Sequence, residues 1–226
     1  GPTSTADTTS HGAYLLNTAD TIGIPRTDAG VCNDRTDMLN ADTIVFYASN
    51  PAWSAAGTPS YHYIRAKEAG VKFITVDPIY TASAQMLDAE WIPIRTGTDT
   101  AFLLGVASEM IRLDKAEGDI VDWEFLDKYT VGFDADHKPE DLKEDVNFVD
   151  YLEGKYDGVK HDAEWASAIC GVPVEKITWF AREIGKKKNV WLLHNFAAAR
   201  CDACENVPQL FMTLGAMGGH MGKPGN

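Results

Sequence analysis

VDPIYTASAQMLDAEWIPIRTGTDTA, Val76 to Ala101, decides the fold of this 226-residue chain. The run before it, Val71 to Val76, is apolar and rich in β-branched residues, so it reads as a short strand. Asp77-Pro78 ends that strand, because proline has no N–H to give the ladder. Asp77 therefore stands at a strand's carboxyl end. In open α/β sheets ligands occupy the crevice outside those ends, and an acid closing the second strand often accepts from ribose hydroxyls. Trp91 to Ile94 reads as another short strand. Gly97-Thr98-Asp99 then turns into a helix expected over Thr100–Arg112, bringing free backbone N–H groups and a second acid to the same crevice.

Working outward, the preceding strand is Thr43–Tyr47, apolar enough for burial on both faces. Ala48-Ser49-Asn50-Pro51 turns the chain, and a helix over Pro59–Ala69 leads through Gly70 to the Val71 strand. Strand, helix and strand make a βαβ unit, for which parallel pairing is the default. The first loop carries no G-x-G-x-x-G, which disfavours an ordinary nicotinamide site. Its small residues Ala48 and Ser49 still permit close approach to a diphosphate.

These stretches, taken together, carry a family resemblance. VDP followed by EWIPIRTGTDTA resembles the DPR…DEWIPIRPGTDAA pattern of the molybdopterin oxidoreductases, and NADTIVFYASNP (Asn40 to Pro51) resembles their "nadlvvlwGsNP". FLDKYTVGFD (Phe125 to Asp134), WASAICGVPVEKI (Trp165 to Ile177) and LGAMGGHMGKPG (Leu214 to Gly225) match in the same order. The likeness is to the dimethyl sulfoxide reductase branch. It implies a central cofactor-binding piece of a catalytic subunit that holds molybdenum as bis(molybdopterin guanine dinucleotide). On that resemblance the cofactor contacts are Ser49, Asn50, Pro51, Asp77, Pro78, Gly97, Thr98, Asp99 and Asn195. Asn50 would meet the guanosine diphosphate arm. Asp99 would accept from the ring N–H and amino group of guanine. From the residues alone, the favoured reading of Asn50 is a turn former, and Asp99 is equally an acid stabilised by the helix dipole.

Composition is compatible with such a piece. The net charge of −13 argues against nucleic acid and against an anionic membrane surface. No apolar run approaches the ~18 residues that span a bilayer. The chain opens Gly-Pro-Thr-Ser, so it reads as an excised fragment whose natural termini, any export signal and any N-terminal iron–sulfur cluster lie elsewhere. The whole of 1–226 reads as one cofactor-binding unit. The acidic stretch 112–160 within it is expected as a surface insertion.

Of the four cysteines, Cys201 and Cys204 form a C-x-x-C without the second pair that a structural zinc site would want. They are expected in the turn before a helix over Glu205–Met217. Cys170 reads as a small core residue. Cys32 lies, by the resemblance, where the family binds molybdenum through one side chain, and a thiolate suits a soft metal. Its loop to Asn50 is shorter than relatives have, and a buried unreactive cysteine is the alternative.

The remaining elements are a helix over Ser10–Thr18, a helix after Pro173 with Ile177, Phe180, Ala181 and Ile184 on one side, and a strand over Val190–Leu193. His194 and Asn195 leave that last strand much as Asp77 leaves the earlier one. The glycine-dense tail Met217–Gly225 is expected as a loop that closes over a ligand, or as a linker.

The expected fold is therefore a Rossmann-like three-layer α/β sandwich with a mostly parallel sheet. The resemblance implies two-electron oxygen-atom transfer to or from a small S-oxide or N-oxide in anaerobic respiration. It further implies electron-transfer partner subunits, and a location in the periplasm or on the outer face of the cytoplasmic membrane, with the cytoplasm as the alternative. Two other classes stay open: a different nucleotide-dependent α/β enzyme, and a noncatalytic scaffold or electron-transfer domain.

Overall fold

A computed structural model describes residues 34–54, 59–137, 146–195, 197–198, 201 and 206–226. The helix expected over Ser10–Thr18, and Cys32, lie outside these residues. The sheet has four strands, β1 (Thr43–Tyr47), β2 (Lys72–Val76), β3 (Glu90–Ile92) and β4 (Val190–His194), in the order β3-β2-β1-β4. Every pairing is parallel. β1 is central and buried at all five positions, which is why its sequence, Thr-Ile-Val-Phe-Tyr, is continuous in apolar and β-branched residues. β3 stops at Ile92, where Pro93 can donate no further bond.

Alternate strand residues feed two cores. Ile44, Phe46 and Phe73 face one side, where α1 (Pro51–Ser54), α2 (Pro59–Glu68) and α3 (Ala82–Leu87) lie, and they pack on Tyr63, Ala66, Ala84 and Leu87 of the last two. Val45, Tyr47, Ile74, Val76 and Ile92 face the other. There they meet α4 (Asp99–Glu117), which packs against α7 (Ala163–Cys170), α8 (Val174–Glu183) and α9 (Val207–Met217). Full burial of a residue such as Phe102 or Phe180 contributes roughly 2–3 kcal/mol, against ~0–1 kcal/mol for an exposed ion pair such as Arg65–Glu68. Apolar contact therefore sets where α4 sits.

Helix α4 runs to Glu117 rather than stopping near Arg112, because Leu113 is still buried and the chain breaks only at Gly118, with φ +73°. The acidic stretch that follows holds α5 (Trp123–Tyr129) and α6 (Phe148–Leu152), and it contributes Leu126, Phe133 and Leu152 to the core. Asp114 ties its start down by accepting from the N–H of Ile120 and Val121 and from Trp123 Nε1.

The tail contradicts the expectation of a ligand-closing loop. His220 sits against the carbonyl of Ile184 at 2.7 Å, and Gly225 N–H donates to Asp37 Oδ2 at 2.8 Å. Asp37 belongs to a short 3-10 helix, Arg35–Asn40, which precedes the amino end of β1. The tail is thus fastened at the sheet edge opposite the strand carboxyl ends. Among the described residues no helix is long and apolar enough to cross a membrane.

Candidate functional site

The register sets Tyr47, Val76, Ile92 and His194 level with one another, so the loops after all four strands leave from one edge. β1 sends successive crossovers toward β2 and β3 on one side, while β4 lies on its other side. The carboxyl ends of β1 and β4 therefore flank the point where strand order reverses, the usual ligand position in such sheets. Ala48, Ser49 and Asn50 follow β1, Asp77 and Pro78 follow β2, and Asn195 follows β4. Asn195 N–H donates to the carbonyl of Tyr47 at 3.3 Å, tying two of these exits together.

Ala48 adopts φ +49°, a left-handed conformation that costs a non-glycine residue ~1–2 kcal/mol. Its N–H donates to the Val76 carbonyl at 3.0 Å, so the sharp turn across the end of β2 is held by a backbone bond. Asn50 then meets α3. Asn50 Oδ1 accepts from Ser83 Oγ at 2.7 Å and from Ser83 N–H at 3.2 Å, while Ser83 Oγ accepts from Ala52 N–H at 3.0 Å. Pro51 opens α1 and is buried.

Asp99 is the first residue of α4 and is 7% exposed. Tyr47, the last residue of β1, donates its hydroxyl to Asp99 Oδ1 at 2.9 Å. Burial pushes the Asp99 carboxyl up from its ordinary range; the Tyr47 hydrogen bond opposes that, and the negative charge of Asp77 adds to it. Burial also raises Asp77, and an N–H from Ile79 at 3.1 Å opposes it. Asp77 and Asp99 thus both lie at the carboxyl edge of the sheet, one after β2 and the other hydrogen-bonded to the end of β1. The Asp77 carbonyl accepts from Trp91 Nε1 at 2.8 Å, which fixes the exit of β2. Gly97 has φ +79°, and Thr98 Oγ1 donates back to the Arg95 carbonyl at 2.7 Å instead of capping α4.

The structure thus brings Asn50, Asp77, Gly97, Thr98, Asp99 and Asn195 to one edge, with Ser49, Pro51 and Pro78 in the same turns. Arg95, between β3 and α4, donates to the carbonyls of Ala168 and Ile169 at the end of α7. Cys170 is fully buried, and desolvation raises its thiol. Among the described residues no cluster of three metal-ligating side chains occurs. The His194 ring packs edge-on against Phe211, and desolvation pushes it down to about 4, so it is neutral at pH 7. Sequence reasoning missed Tyr47 and Ser83. A tyrosine hydroxyl ending a strand buried at every position was an available signal for the first; Ser83 offered none.

Two clefts lie away from this edge. One of about 390 Å³ opens between α4, α7 and α8, and its buried acid, Glu109, is already engaged by Arg112 at 2.8 Å and by Thr178 at 2.7 Å. The other, of about 480 Å³, borders the amino ends of β1 and β2 beside Lys187 and Lys188, which pair with Asp119 and Glu183.

Residues 2–210 match the family model for molybdopterin oxidoreductase. The trimethylamine-N-oxide reductase of Haemophilus influenzae is 34% identical over 83% of this chain and 22% of that protein. The dimethyl sulfoxide reductase DmsA of Escherichia coli is 34% identical over 84% of this chain and 23% of that protein. The biotin sulfoxide reductase of Cereibacter sphaeroides is 32% identical over 100% of this chain and 29% of that protein. The chain thus spans about a quarter of the length of these relatives. Acetylene hydratase from Pelobacter acetylenicus superposes with a TM-score of 0.62 at 17% identity, covering 92% of this chain and 25% of that one, a likeness of fold.

Proposed function

This chain belongs to the molybdopterin oxidoreductase family, and we propose that its strand-end crevice holds a guanine nucleotide arm of a bis(molybdopterin guanine dinucleotide) cofactor. The observation that carries the reading is Asp99. It is a buried carboxylate, raised by desolvation, held by Tyr47 and lying beside the topological switch point. Burial of a carboxylate is costly unless donors meet it. Guanine supplies two parallel donors, its ring N–H and its amino group, and no other common base offers that pair to a carboxylate. Asp77 is positioned to accept from ribose hydroxyls, as acids closing the second strand commonly do. Asn50 donates from its amide toward the diphosphate, and the turn of Ala48 and Ser49 lets backbone approach closely.

When bound, the cofactor supplies two-electron oxygen-atom chemistry; the protein supplies orientation and exclusion of water. The proposed substrates are small S-oxides or N-oxides, consistent with the reductase names of the relatives. Reduction of such an oxide takes two electrons and two protons and releases water, so an electron-donating partner belongs to the proposal. Cys32 as a thiolate ligand to molybdenum belongs to it also.

The test is elemental and nucleotide analysis of the full-length parent protein produced anaerobically. The reading expects about one molybdenum and two guanine nucleotides per chain, with molybdenum lowered in Cys32→Ala. Absence of both from the wild-type protein would refute it, whereas unchanged molybdenum in Cys32→Ala would remove only the ligand assignment.

A further inference from the structure

The proposed reading gives Asn50 to the ligand, and the structure specifies which half of its amide is offered. Both donors of Ser83, hydroxyl and backbone N–H, are directed at Asn50 Oδ1. Ser83 is fully buried in the first turn of α3, whose start is capped by Thr81, and its Oγ is also held by Ala52 N–H. The hydroxyl cannot swing out to water. Among the described residues Asn50 Nδ2 makes no hydrogen bond.

We infer that Ser83 is a positioning residue: by occupying Asn50 Oδ1 it fixes the amide so that Asn50 meets its ligand only as a donor, which suits the anionic oxygens of a nucleotide diphosphate. An asparagine amide carries an acceptor and a donor of nearly the same shape, and half a turn about its last torsion exchanges them. An unlocked Asn50 would spend part of its time presenting an oxygen to a phosphate oxygen, which is repulsive. Ser83 removes that state. The inference rests on the assignment of Asn50 to the cofactor, and it adds a residue 33 positions away that touches no ligand.

The experiment uses the full-length, cofactor-loaded protein and follows the loss of bound guanine nucleotide with time, as acid-released nucleotide remaining on the chain after desalting. Wild type, Ser83→Ala, Asn50→Ala, the double variant and Asp99→Asn are compared. Ser83→Cys is added because it keeps the side-chain volume while weakening the donor. Urea midpoints are measured on each.

Loss of one hydrogen bond predicts roughly fivefold faster nucleotide loss in Ser83→Ala and Ser83→Cys. The decisive arm is the double variant, which should lose nucleotide no faster than Asn50→Ala alone, since Ser83 acts only through that amide. Full additivity in the double variant, or wild-type retention in both Ser83 variants while Asn50→Ala and Asp99→Asn release faster, would overturn this inference alone. Retention unchanged in Asn50→Ala and Asp99→Asn would overturn it together with the site reading.

Discussion

Tyr47 Oη stands 2.9 Å from Asp99 Oδ1, joining the last residue of the central strand to the first residue of α4 across 52 positions of sequence. Both residues are buried, and the Tyr47 ring is held between Phe102 and Phe211, with centroids at 6.4 and 5.4 Å. The hydroxyl takes one lone pair of Oδ1, and backbone N–H groups of Asp99 and Gly97 also meet the carboxylate. One bond therefore serves both the packing of α4 on the sheet and the aim of the carboxylate.

Tyr47→Phe keeps the ring and removes the donor. A hydrogen bond to a charged group contributes ~1.5–3 kcal/mol, so urea denaturation should show a loss of about that size. The Tyr47 bond also lowers the Asp99 pKa, so its removal should move any Asp99-dependent pH midpoint upward.

Retention of guanine nucleotide should depend on pH through Asp99. Only the carboxylate can accept two N–H donors, and burial has raised the pH at which it forms. Retention is therefore expected to weaken on acidification at a higher pH than an ordinary aspartate would give. Nucleotide release measured across pH 4–8 checks this, and the midpoint should be absent in Asp99→Asn.

His220 is 7% exposed and pushed down to about 4 by burial, with its ring held at the Ile184 carbonyl. Between that value and 6.5 the unfolded chain binds the proton and the folded chain does not, so stability rises with pH across the window and is lost as pH falls through it. A shift of this size corresponds to roughly 3 kcal/mol. His194, pushed down to about 4 as well, adds a similar contribution. Urea midpoints at pH 7 and pH 4 should differ accordingly, and His220→Gln should remove about half of the difference.

Gly105 of α4 lets α7 approach closely: a Cβ there would lie 2.4 Å from the Ala166 Cβ. Gly105→Ala must push the helices apart. Overpacking of this kind costs ~1–3 kcal/mol, against a gain of up to ~1 kcal/mol in helix propensity. A net loss in the urea midpoint is expected, with the nucleotide site unaltered.

What was legible in the sequence is what local physics controls. The unbroken apolar run of β1, the proline that ends β2 at Asp77 and the turn that opens α4 each follow from side-chain chemistry within a few residues. Together they place Asn50, Asp77 and Asp99 at one edge. The one-sided pattern Ile177, Phe180, Ala181, Ile184 is likewise the buried face of α8. The pairings that aim those side chains were not legible. Tyr47 finds Asp99, and Ser83 finds Asn50, only after the sheet has formed, and no spacing rule announces bonds across 52 or 33 residues. Arg95 is engaged by the carbonyls ending α7, which a linear reading cannot place beside it. Glycine density marked the tail as a loop, while the edge it joins depends on Asp37.

The most direct measurement is the guanine nucleotide bound per chain in full-length wild-type protein and in Asp99→Asn, with urea denaturation to establish that both are folded. Asparagine keeps the size and the acceptor for Tyr47 but offers guanine one acceptor in place of two. The account predicts a folded variant that has lost tenfold or more of its nucleotide affinity, about the 1.4 kcal/mol or more expected for one charge-assisted bond. A folded Asp99→Asn protein that retains guanine nucleotide as tightly as wild type would contradict it.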